Sequence, residues 1–76
     1  MVSKKFIRYI NELQEIQRLA LETSHDVALH SLDSSRVIDA RSYIGMYALD
    51  FTKPVLVVCE DPDFHKKIQT VGENAD

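Results

Sequence analysis

The 76-residue chain predicts a two-layer α+β sandwich, an open-faced sheet with helices on one side, and three observations carry that expectation. "KKFIRYI" and "DVALHSL" alternate apolar with polar residues at the period of a half-buried strand. "ELQEIQRLALETS" repeats its apolar residues at helical spacing instead. The chain is also short, and a chain of this size buries only about 60–65% of the surface it exposes when unfolded. One core between two layers is the ceiling, so residues 1–76 are read as a single domain. The elements fall in the order β-α-β-β-α-β-α, in which the helices must cover one face of a mostly antiparallel sheet.

Residues 4–10 form the first strand, with Phe6, Arg8 and Ile10 on one side and Ile7 and Tyr9 on the other. Asn11 followed by Gln14 is the pattern of an N-cap and capping box. Leu13, Ile16, Leu19 and Ala20 then supply the buried stripe of a helix ending near Ser24. Residues 26–32 alternate again, "DSS" at 33–35 is a turn cluster, and residues 36–40 complete a hairpin. A second helix is expected from Ser42 to about Asp50, with Ile44, Tyr47, Ala48 and Phe51 as its core stripe. Pro54 precedes Val55, Leu56, Val57, Val58 and Cys59, a continuous apolar run that reads as a fully buried strand. Asp61 and Pro62 are the N-cap and first residue of a last helix carrying Phe64, Ile68 and Val71. Residues 72–76 are expected to fray.

Composition excludes several functions. The net charge is −3 and no basic run exceeds a pair of lysines, which argues against nucleic-acid binding because phosphate contacts need clustered Lys or Arg. One cysteine rules out an internal disulfide, and the first residues lack the apolar core of a secretion signal. No apolar run approaches the ~18 residues that span a bilayer, so no membrane role and a cytoplasmic setting are expected. "CEDPDFH" gathers Cys59, Glu60, Asp61, Asp63 and His65, but the spacing matches no usual zinc pattern and Asp61 and Asp63 suit a helix start. No metal and no other cofactor is expected. Nothing in the chain orients a base toward Cys59 or builds an oxyanion hole, so it is not read as an enzyme.

The Ser42–Asp50 segment holds more large apolar residues than one core stripe needs. Tyr43 and Met46 fall outside the stripe, and Tyr43 stacks over Tyr47 one turn on. Either another element covers this edge or it is a docking patch, a role that tyrosine suits. "VIDARSYIGMYALDFTKPVLV" resembles the segment of HPr, the phosphocarrier of the bacterial sugar phosphotransferase system, that bears the family's regulatory serine. The resemblance implies a four-stranded sheet in the order 1-4-2-3 with helices on one side. It also implies that Ser42 is the residue a dedicated kinase phosphorylates. Tyr43, Ile44 and Tyr47, with Met46 beside them, fall where that family docks phosphotransferase proteins and a transcriptional regulator of catabolite control. A phosphate on a serine at a helix N-terminus meets free backbone N–H groups. As a plain N-cap the same serine is worth about 1 kcal/mol.

The chain departs from the family where phosphoryl transfer takes place. HPr carries its phosphoryl group in a pattern His-x-Arg-Pro at the start of the first helix, whereas this chain has "YINELQEI", with Asn11 and Glu12 in that region. Asn forms no useful phosphoramidate and Glu12 repels a phosphate donor. His25, His30 and His65 lie elsewhere. The expectation is therefore an HPr-like regulatory or docking paralogue without histidine phosphotransfer. The alternatives are a small non-enzymatic interaction or self-associating module that shares the fold, with a weak homodimer among the partners considered, and an active phosphocarrier that uses another residue.

Overall fold

Residues 1–42, 45 and 49–75 are described by the computed structural model, and they form five strands and two helices. In chain order these are β1 (Val2–Phe6), α1 (Ile10–Glu22), β2 (Val27–Ser31), β3 (Val37–Asp39), β4 (Val55–Cys59), α2 (Pro62–Ile68) and β5 (Glu73–Asn74). The expected helix from Ser42 to about Asp50 falls largely outside the described residues, as do Tyr43, Ile44, Met46, Tyr47 and Ala48.

Every strand pair is antiparallel, and the sheet runs β3-β2-β4-β1-β5. The fold class is thus α+β with an open antiparallel sheet, but the expected count of four strands is corrected to five. β1 is consequently an interior strand, flanked by β4 and β5, where the 1-4-2-3 order made it an edge. The fifth strand comes from residues expected to fray. Gly72 adopts φ +68°, a left-handed conformation that glycine takes without strain, and turns the chain so that Glu73 and Asn74 pair with Phe6 and Lys5. Ala75 N–H then donates to the Lys4 carbonyl at 2.9 Å.

The first strand ends at Phe6 rather than Ile10. Ile7 turns into the core at 4% exposure, and Tyr9 already caps α1, so the alternation read across residues 4–10 serves three different elements. The core itself lies between one sheet face and the helices. Leu13, Ile16, Leu19 and Ala20 of α1 and Phe64 and Ile68 of α2 pack over Val27, Leu29, Val55, Val57 and Cys59. Each large buried aliphatic contributes about 1.5–3 kcal/mol. The reading of β4 as fully buried is corrected: Val55, Val57 and Cys59 are buried, while Leu56 and Val58 point to the other face, away from α1 and α2, and are half-buried.

β1 meets α2 through polar rather than apolar groups. Lys5 is fully buried, and its ammonium donates to the carbonyl of Gln69, the C-cap of α2, at 3.3 Å. A cation there satisfies a terminal carbonyl and suits the helix dipole. His65, also buried, bridges Ser3 and Cys59. Because the Cys59 carbonyl can only accept, His65 Nε2 carries the proton and donates to it at 2.8 Å. Nδ1 therefore accepts from the Ser3 hydroxyl at 2.7 Å. The other end of α2 matches expectation, with the Asp61 carboxylate accepting from Asp63 N–H at 3.0 Å and Pro62 in the first position. Among the described residues no helix is long and apolar enough to cross a membrane.

Candidate docking site at the start of the first helix

α1 opens two residues earlier than its sequence pattern indicates. Tyr9 is the N-cap, in an extended conformation, and Glu12 occupies the third helical position. The Glu12 carboxylate folds back to accept from Arg8 N–H at 2.9 Å and Tyr9 N–H at 3.1 Å, while Glu12 N–H donates to the Tyr9 carbonyl at 3.1 Å. This is the glutamate half of a capping box. Asn11 is therefore not the cap: it lies exposed inside the first turn, because the capping acceptor comes from Glu12 within the helix.

The surface around this turn is apolar with a charged rim. Tyr9 and Ile10 are 67% and 50% exposed. They join Ile7, Leu13 and Phe51 around a shallow pocket of about 120 Å³, with Arg8 also lining it. Arg8 forms an ion pair with Glu73 at 3.1 Å and lies 5.3 Å from the centre of the Phe6 ring. Phe51 brings the chain that follows residues 43–48 against the start of α1. Tyr9, Ile10 and Phe51 are absent from the sequence-based docking set because the first two were assigned to a strand and the third to the core. The signal that could have placed Tyr9 is Glu12, a glutamate three positions on.

Ser42 is exposed, and its hydroxyl accepts from Gly45 N–H at 3.3 Å, the three-residue spacing of an N-cap. Its own N–H donates to the Asp39 carbonyl at 3.0 Å. Arg41 beside it is held by Asp39 and Asp26, at 3.4 and 2.9 Å. Hydrogen bonding to Asp39 raises the guanidinium pKa, and the Arg41 backbone N–H lowers that of Asp39. Gln17, buried on α1, donates to the Arg41 carbonyl at 3.2 Å and so ties this stretch to the first helix. Tyr43, Ile44, Met46 and Tyr47, the docking residues named from the sequence, lie outside the described residues.

No histidine stands at the start of α1. His25 follows the helix, 3.9 Å from Asp61; His30 is on β2, half-buried; and His65 is the buried bridge on α2. The acidic cluster after β4 is spent on local bonds. Asp61 accepts from the Thr23 hydroxyl, which lowers its pKa, and its N–H donates to Cys59 Sγ at 3.4 Å. Among the described residues no three His, Cys, Asp or Glu side chains are placed to hold a metal ion. A larger open groove, about 560 Å³, lies along the β2–β3 turn and includes Asp33, Arg36, Asp50 and Lys53. Its carboxylates are already engaged, Asp33 by Ser31 and Ser35 and Asp50 by Thr52.

The groups that converge at the start of α1 leave room for one apolar side chain. Compared with protein-family models, with curated proteins and with solved structures, the chain matches none.

Proposed function

We propose that this chain is an HPr-like protein of the sugar phosphotransferase network that docks on protein partners without carrying a phosphoryl group on histidine. It is a cytoplasmic regulatory protein rather than an enzyme, and its partners are of the phosphotransferase or catabolite-control type. The observation that carries this reading is Glu12. A phosphohistidine at a helix start depends on free N–H groups and positive potential. Here a carboxylate occupies the N–H groups of Arg8 and Tyr9 and sets a negative charge at that end. Further support comes from the succession β1-β4-β2-β3 within the sheet and from the apolar pocket between Tyr9 and Phe51.

Ser42 is the regulatory position in this reading. It is exposed, next to Arg41 and with Gly45 N–H on its hydroxyl, so a phosphate there would gain a donor and a cation while charging the rim of the docking surface.

Incubation with phosphoenolpyruvate and the first phosphotransferase enzyme should leave no acid-labile phosphoryl group on the chain; an adduct on any histidine would overturn the reading. HPr kinase should phosphorylate Ser42 and not Ser42→Ala. Tyr9→Ala and Tyr47→Ala should each weaken partner binding about tenfold or more, the scale of an aromatic anchor.

A further inference from the structure

An antiparallel sheet with one face in water normally places polar residues on that face. This sheet does not. The strand register sets two rows on the face away from the helices: Val2, Val58, Ala28 and Asp39 in one, and Lys4, Leu56, His30 and Val37 in the next. Five of these eight residues are apolar, and Val2 and Val37 at the two sides are each 59% exposed. The continuous run Val55–Cys59 has the composition of a strand covered twice, yet α1 and α2 cover it once.

We propose that a second copy of this chain covers this face, packing sheet on sheet about a two-fold axis that runs along the strands between β4 and β2. Such an axis carries β4 onto β2 and β1 onto β3, so Val58 lies across from Ala28 and Leu56 across from His30 of the second copy. Charge selects this axis. Lys4 and Asp39 stand at opposite ends of neighbouring rows, and the rotation sets Lys4 of each copy one row from Asp39 of the other, twice. The same rotation sets Lys4 across from Val37 and Val2 across from Asp39, whereas an axis across the strands would lay β1 on β1 and hold Lys4 three strands away from Asp39 of the other copy. Sheets pack about 10 Å apart with strands within roughly 30° of alignment, a gap that a lysine side chain spans. On the usual strand spacing the footprint is a few hundred Å² per copy, below the roughly 800 Å² per partner of a standard stable interface, so the dimer forms with rising concentration. This inference does not depend on the HPr-like reading, since the face lies across the sheet from α1.

Sedimentation equilibrium of the full chain over two decades of concentration should show the mass rise from 8.7 kDa toward twice that value. Val37→Lys and Lys4→Glu should each weaken the dimer about tenfold or more, the first by setting a like charge across from Lys4 of the other copy and the second by setting one beside Asp39. Adding Asp39→Lys to Lys4→Glu should restore association, with circular dichroism reporting that each variant is folded. Val37 is exposed and outside the Asp39–Arg41 pair, so its variant tests the face without disturbing that pair. A chain that stays monomeric throughout leaves the face to another occupant and overturns the proposal, as does a dimer indifferent to Val37→Lys and Lys4→Glu.

Discussion

At Gly45 a Cβ would stand 2.7 Å from Ile38 Cγ2 and 3.2 Å from Ser42 Oγ, and the Ile38 methyl is fixed close to its own backbone and cannot swing away. Gly45→Ala should therefore destabilise the protein by about 1–3 kcal/mol in urea unfolding, the cost of overpacking, and Ile38→Ala in the same chain should recover part of it. His65 makes a different demand. His65→Leu removes the partner of the Cys59 carbonyl as well as that of the Ser3 hydroxyl, and a buried group left unpaired costs about 1–3 kcal/mol. Ser3→Ala leaves only Nδ1 unsatisfied, at a half-buried position, and should cost less in the same measurement. The close packing at Gly45 was legible from a glycine set among the apolar residues of a short helix, whereas His65 read only as one of three dispersed histidines. The role of Glu12 was partly legible: its place at the helix start was read from the sequence, but its capping was hidden by assigning the cap to Asn11.

For the elements, local pattern sufficed where period and cap agree. β2, β3, β4 and the start of α2 lie within one or two residues of their expected bounds, because alternation or an Asp-Pro start marks each of them, while α2 ends at Ile68, three residues short of the expected Val71. The β1–α1 junction shifted because an apolar, β-branched stretch can end a strand, enter the core or cap a helix. Glu12→Ala should cost about 0.5–2 kcal/mol of stability by freeing two N–H groups, while Glu12→Gln keeps an acceptor and should cost less; thermal unfolding distinguishes them. β5 had no legible pattern, since two residues have no period, and it depends on Gly72. Gly72→Ala should cost about 1–2 kcal/mol, from φ +68° and a Cβ 2.8 Å from the Phe6 carbonyl oxygen. Amide exchange at Ala75, whose N–H bonds to Lys4, should accelerate in that variant.

Over the whole molecule, acid stability follows from carboxylates that local donors hold ionised. Ser35, through its N–H and hydroxyl, and Ser31 lower Asp33 to about 2, and Asp39, Asp50, Asp61 and Glu15 are lowered as well. A folded pKa below the unfolded value of about 4 gives stability that is complete above pH ~4 and is lost as pH falls toward 2. The melting temperature should fall across that interval, and Asp33→Asn should flatten the fall.

The residues by themselves determined the α+β class, the strands that alternate, the Asp61–Pro62 start of α2 and the want of a histidine at the start of α1. All of these rest on periodicity, composition or contacts a few residues long. Only the tertiary structure decided that β5 encloses β1, that Lys5 and His65 are buried, and that Leu56 and Val58 are half-buried on the face away from α1 and α2. The reason is separation along the chain: Ser3 meets His65 across 62 residues and Lys5 meets Gln69 across 64. A polar residue becomes a core residue only when the group that satisfies it arrives from that far away.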